Sequence, residues 1–189
     1  MEYSVPTPIS RRYYPLSLDD TEDVEGYGPG GFHPVHLGDI YEGRYRVIHK
    51  LGAGGYSTTW LARDEMEKEY VALKVIKASE GTSCTELRML QCLAETPSEH
   101  PGQAHFRGLQ SYFTINGPHG EHCCLVTEVA GPMLPSLYDY PKRGFARRMK
   151  ASIARKFAKQ IAQALSYLHS NSIGHGGQPW DLVSLSHDG

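Results

Sequence analysis

The sequence predicts an α+β fold: a small lobe built on a five-stranded antiparallel sheet with one inserted helix, followed by helical sequence. Three observations predict it. Short β-rich runs alternate with turns between Tyr45 and Val129. A helical period interrupts them at 83–94, where Leu87, Leu90, Cys92 and Leu93 recur over about three turns. After Gly131-Pro132 the strand texture stops, and Ile153, Phe157, Ile161, Leu165 and Leu168 recur every three or four residues.

In chain order, residues 1–38 are rich in Pro, Gly, Tyr and acids and lack periodicity. They read as an extended or disordered lead-in, ordered only where it packs on the domain behind it. Their acidic cluster, Asp19, Asp20, Glu22, Asp23 and Glu25, is expected to be solvated. Residues 39–131 form the small lobe. Tyr45-Arg46-Val47-Ile48 starts the first strand, 58–63 the second and 70–76 the third, with polar 64–69 turning the chain between the last two. The fourth and fifth strands, 106–115 and 122–129, flank an Asn116-Gly117-Pro118 turn. Residues 132–189 begin a second, helical lobe. There Ala154, Ala158, Ala162 and Ala164 lie between the apolar positions, and Arg155, Lys156, Lys159 and Gln160 supply a polar side. The basic cluster Lys142, Arg143, Arg147, Arg148 and Lys150 is expected to be a solvated surface.

Composition narrows the function classes. At 189 residues, 40% hydrophobic and 21% charged, the chain can hold one ordinary domain. A net charge of −2 gives no reason to expect nucleic-acid binding. No apolar run approaches the roughly 18 residues of a membrane helix. The N-terminus lacks a signal core, which points to the nucleus and cytoplasm. The cysteines, Cys84, Cys92, Cys123 and Cys124, have no metal-site spacing and are expected as buried or half-buried thiols. Adjacent Cys123 and Cys124 should point to opposite faces of a strand. His100 and His105 flank a Pro-Gly turn signal and read as loop residues.

The most specific chemistry lies in Leu51-Gly52-Ala53-Gly54-Gly55-Tyr56-Ser57-Thr58-Thr59-Trp60, followed by Val71-Ala72-Leu73-Lys74. Glycines in a hairpin let backbone amides approach phosphate oxygens, because no Cβ intervenes. A lysine on the next strand brings a full positive charge to the same oxygens. The loop lies between antiparallel strands rather than opening a helix, which argues against a dinucleotide-binding βαβ unit. A glycine loop paired with V-A-x-K on consecutive strands is the protein-kinase arrangement.

Within that superfamily the sequence resembles the SR-protein kinases, which phosphorylate Arg-Ser-rich splicing factors. Glu25-Gly26-Tyr27, then Gly30-Gly31-Phe32-His33-Pro34-Val35, is similar to that family's "Y…GGYHPV". Gly38-Asp39-Ile40 and Gly43-Arg44-Tyr45 resemble its "GD…GRY", and Ser57 to Ala62 its "STVWLA". Residues 125–132, LVTEVAGP, are similar to its "LVFEVLGP". The resemblance runs from about Asp23 to His175. It implies a small lobe that binds ATP. Gly52, Ala53, Gly54, Gly55, Tyr56 and Ser57 would fold over the phosphates. Leu51, Thr59 and Ala72 would cover the adenine. Lys74 would hold the α and β phosphates, with Glu86 on the following helix as its partner. Thr127 would be the gatekeeper, and backbone groups of Glu128 and Ala130 would meet the adenine edge.

Phosphoryl transfer also needs an Asp to orient the acceptor hydroxyl, and an Asn and a second Asp to hold metal ions. The family's loop reads H-x-D-x-x-P-x-N; here the chain reads His175-Gly176-Gly177-Gln178-Pro179-Trp180-Asp181-Leu182. Gly177 takes the place of the base, and Asp181 aligns with the metal-ligand Asn only if one residue is deleted. Asp188-Gly189 comes too soon after Asp181 to be the second metal Asp. The resemblance therefore implies Mg2+ use whose ligands are largely absent, and a chain inactive by itself. The alternative is a pseudokinase or lobe fragment that binds a protein partner through the 153–168 helix. Without the rest of a large lobe, Phe157, Leu165 and Leu168 are expected in water, at about 1.5–3 kcal/mol each relative to full burial.

Overall fold

Alternation of apolar and polar residues closes the strands into one antiparallel sheet in the computed structural model, which describes residues 22–81, 84–95, 99–106, 108–131 and 150–173. The strands are β1 (Ile40–Tyr41), β2 (Tyr45–Ala53), β3 (Ser57–Asp64), β4 (Tyr70–Ile76), β5 (Leu109–Gly117) and β6 (Gly120–Glu128). Their order is β1-β2-β3-β4-β6-β5. The five expected strands are present; β1 is a two-residue addition that pairs Ile40 with Arg46 and Tyr41 with Tyr45. Helices α1 (Ala78–Gly81) and α2 (Thr85–Glu95) follow β4, and α3 (Ala151–Ser170) follows the sheet.

The central strands β3, β4 and β6 are buried on both faces. Tyr45, Val47, Trp60, Val71, Leu73, Val75, Cys124 and Val126 pack into one core, flanked by Val35 and Tyr41 from the N-terminal side. Ile76, Leu90, Cys84, Cys123 and Leu125 form the other, beneath α2. Cys123 and Cys124 thus occupy opposite faces, as pleat alternation requires.

The described part of the lead-in packs on the sheet around Phe32, while Asp23, Val24 and Glu25 are exposed. Phe32 is buried, and the backbone N–H groups of Ala78 and Ser79 donate to Gly31 and Gly30 (3.1 and 2.9 Å). The expectation of a solvated acidic cluster fails at Glu22. Its carboxylate meets Lys50 on β2 and accepts from the Tyr27 hydroxyl at 2.6 Å. Burial opposes its ionisation, but those hydrogen bonds prevail and hold its pKa below the ordinary value. Asp23 caps the short helical turn Val24–Gly26 by accepting from the Glu25 N–H at 3.0 Å.

Helix α3 is also better covered than expected. Leu168 is 1% exposed and packs with Leu93 and Tyr167; Phe157 and Leu165 are half-buried. The cover is the segment 99–106 that follows α2. The Phe106 ring lies 5.5 Å from that of Tyr167 at a tilt of 54°, and the Tyr167 hydroxyl donates to the Leu93 carbonyl at 3.4 Å. Gly102 is forced by this approach, because a Cβ there would stand 2.0 Å from the Gln163 carbonyl oxygen. His100 and His105 border this segment, and the His105 Nε2 lies 3.2 Å from the Gln163 side-chain oxygen. The basic cluster 142–148 lies outside the described residues.

One ion pair fastens the β1–β2 and β3–β4 turns together. Arg44 donates to Asp64 from Nε (2.8 and 2.9 Å) and Nη2 (2.7 Å), while Asp64 also accepts from the Met66 and Glu67 N–H groups. The guanidinium, helped by these backbone donors against burial, lowers the Asp64 pKa to about 2.

Leu168→Ala is expected to cost about 2–5 kcal/mol, measured by denaturant titration. A depressed carboxyl pKa contributes stability above the unfolded-state value of about 3.9 and loses it as pH falls through the folded value. The melting temperature should therefore drop between pH about 4 and about 2, with that component missing in Asp64→Asn.

Candidate nucleotide site

Register decides which side chains share a face. Gly52 pairs with Thr59, Thr59 with Lys74, and Lys74 with Leu125, a row crossing β2, β3, β4 and β6. Directly paired residues project to the same side. A second row, Leu61–Ala72–Thr127, lies two residues along on that face. Thr59, Ala72, Lys74 and Thr127 are therefore brought together, on the side that α2 covers.

The packing of α2 delivers the partner of Lys74. Leu87 and Leu90 dock on Ile76 and Leu125, which turns Glu86 in the first helical turn toward β4. Lys74 Nζ donates to both Glu86 carboxylate oxygens, at 2.8 and 2.7 Å. The two side chains are 26% and 27% exposed, so the pair remains open to a solute. The short interval from Lys74 to Glu86 is absorbed by a late helix start at Thr85, after the separate single turn α1.

The glycine loop is a tight tip on long stalks. Gly54 N–H donates to Ser57 C=O at 2.9 Å, and Lys77 N–H donates to Tyr56 C=O at 2.9 Å, which ties the tip to the end of β4. A bulge leaves Leu51 unpaired between Lys50–Trp60 and Gly52–Thr59. Leu51 and Tyr56 are exposed, Ala53 is half-buried and Ser57 is buried. At Gly52, Gly54 and Gly55 no protein atom lies within 4 Å of where a Cβ would stand, and none of them has a positive φ. The fold itself makes no demand for glycine at these positions. At the end of β6, Glu128 is exposed and Ala130 half-buried. Gly177 and Asp181 lie outside the described residues. Among the described residues, no group of three or more His, Cys, Asp or Glu could hold a metal ion, and no helix is long and apolar enough to cross a membrane.

The family profile of the protein kinase domain matches residues 45–176. The chain belongs to the protein kinase family. Its relatives place this kinase in the SR-protein kinase branch. It is 42% identical over 153 residues to protein kinase dsk1 of Schizosaccharomyces pombe, covering 78% of this chain and 27% of that protein. It is 33% identical over 175 residues to SRSF protein kinase 3 of Homo sapiens, covering 89% and 30% respectively. Against serine/threonine-protein kinase spk-1 of Caenorhabditis elegans, identity is 36% over 154 residues, 80% of this chain and 15% of that one. The chain thus spans less than a third of the length of each.

Sequence reasoning missed what lies on the other side of the glycine loop of this kinase. Lys50 sits 5.4 Å above the Trp60 ring while binding Glu22, and Lys77 sits 4.2 Å above the Phe32 ring. A cavity of about 310 Å³ opens there, lined by Glu22, Gly26, Phe32, Gly54, Gly55 and Lys77, without Lys74. The signal available was the acidic run followed directly by glycines and Phe32, but nothing in it named Lys50 or Lys77 as partners.

A part-exposed ion pair contributes little to stability. Lys74→Ala is therefore expected to cost no more than about 1 kcal/mol in a denaturant titration. A larger loss would assign the pair a structural role.

Proposed function

We propose that this chain carries the ATP site of a serine/threonine kinase of the SR-protein kinase type. The observation that carries the reading is Lys74, held by Glu86 on the same sheet face as Gly52, Thr59, Ala72 and Thr127. The phosphates lie under Gly52–Ser57, where unobstructed glycines leave room for a ligand against the backbone amides. Lys74 meets the α and β phosphates, and Glu86 fixes its ammonium. Leu51, Thr59, Ala72 and Thr127 enclose the adenine, and the backbone at Glu128 and Ala130 meets its edge. Arg-Ser-rich proteins are the acceptors for the family's phosphoryl transfer. In this chain Gly177 offers no carboxylate to orient an acceptor hydroxyl, so the site binds ATP without transferring it efficiently.

A protein-binding reading draws on a different observation. Ile153, Phe157, Ile161 and Leu165 fall on one stripe of α3, each half-buried rather than enclosed. That stripe fits a protein partner laid along α3, and the two readings are compatible.

Mg-ATP is expected to raise the melting temperature of the wild type and not that of Lys74→Ala, since a ligand bound only to the native state stabilises it by mass action. Transfer from ATP to an Arg-Ser peptide should stay at the level of the Lys74→Ala control. Equal thermal responses of the two proteins would remove the nucleotide site; transfer well above the control would remove the inactivity.

A further inference from the structure

Two buried thiols meet where α2 joins the sheet, and nucleotide binding uses neither. Cys84 immediately precedes α2, Cys123 lies on β6, and both belong to the core of Ile76, Leu90 and Leu125. They are 7% and 4% exposed. Cys123 donates a hydrogen bond to the Cys84 sulfur, which also accepts from the backbone N–H groups of Leu87 and Glu86 in the first turn of the helix. A sulfur ringed by donors favours its thiolate. The Cys123 bond, against the opposing effect of burial, holds Cys84 below the ordinary thiol range; giving that bond, with burial, pushes Cys123 above it. Among the described residues, Glu86 is a carboxylate acting against both thiolates, and Lys74 is bonded to it.

We propose that Cys84 and Cys123 form a peroxide-responsive dithiol whose oxidation ties the start of α2 covalently to β6. The Cys84 thiolate attacks one oxygen of hydrogen peroxide and breaks the O–O bond, leaving a sulfenic acid on Cys84 and a hydroxide ion. That hydroxide takes the Cys123 proton and becomes water. The Cys123 sulfur then attacks the Cys84 sulfur, the S–O bond breaks, and the departing hydroxide is protonated to a second water. Two thiols lose two electrons in total, and one peroxide gains them. Glu86 follows Cys84 by two positions, so the bond fixes the segment that presents this carboxylate to Lys74. Cys92 is exposed and Cys124 lies in the core on the opposite face, so neither competes for Cys84.

The test treats the reduced full chain with hydrogen peroxide, alkylates the remaining thiols under denaturing conditions and maps peptides before and after dithiothreitol. The expected result is a Cys84–Cys123 linked peptide within single chains, reversed by reductant and retained in Cys92→Ser. The melting temperature should rise on oxidation and return on reduction. Cys84→Ala and Cys123→Val should each abolish the link; the wild-type map decides alone if either variant fails to fold. Full alkylation of both cysteines after peroxide would leave them as inert core residues. Links from Cys84 to Cys92, links between chains, or irreversible oxidation of Cys84 without a link would equally overturn the proposal.

Discussion

Burial of the central strands on both faces is the constraint on which the other features depend. Strand β4 makes this plain. Val71, Leu73 and Val75 enter one core while Ala72 and Ile76 face the other, so each face needs its own cover. Tyr41, Val35 and the packed lead-in help to close the first. Helix α2 closes the second, and because it must lay Leu87 and Leu90 on Ile76 and Leu125, it brings Glu86 onto Lys74. The charge pair is thus a by-product of apolar packing. Its own Coulomb energy, with each side chain about a quarter exposed, is too small to position a helix.

Much of this was readable in the sequence because it depends on period. The third strand matches its expected limits at Tyr70 and Ile76, and α2 starts within two residues of expectation. The face-sharing of Thr59, Ala72, Lys74 and Thr127 is a matter of alternation plus register, and register was supplied by short turns such as the one at Pro118-His119. Contacts between segments remote in sequence were not readable. No local pattern pairs Arg44 with Asp64, Glu22 with Lys50, or Cys84 with Cys123. Each depends on how whole elements pack, and that information is distributed over many residues.

The cover over α3 belongs to the same class. A periodic apolar stripe announces that something will bury it, without saying what. Here the 99–106 segment does so for Tyr167 and Leu168, a short connection that composition alone marks as loop. Gly102 was its one local clue, since the carbonyl of Gln163 occupies the space a side chain would need.

The two outer lysines have a consequence for motion. Lys50, on β2 just before the glycines, is gripped by Glu22 and Trp60; Lys77, just after β4, sits over Phe32 and bonds the loop through its N–H. Both stalks of the hairpin are thereby splinted from behind, and the tip itself is held through Gly54 N–H and Tyr56 C=O, which leaves Gly55 the least constrained. Ordering a residue's backbone costs about 1–2 kcal/mol. Confining the mobile part to that short tip keeps the entropic toll of gripping a guest to a few kcal/mol, far less than clamping an entire ribbon.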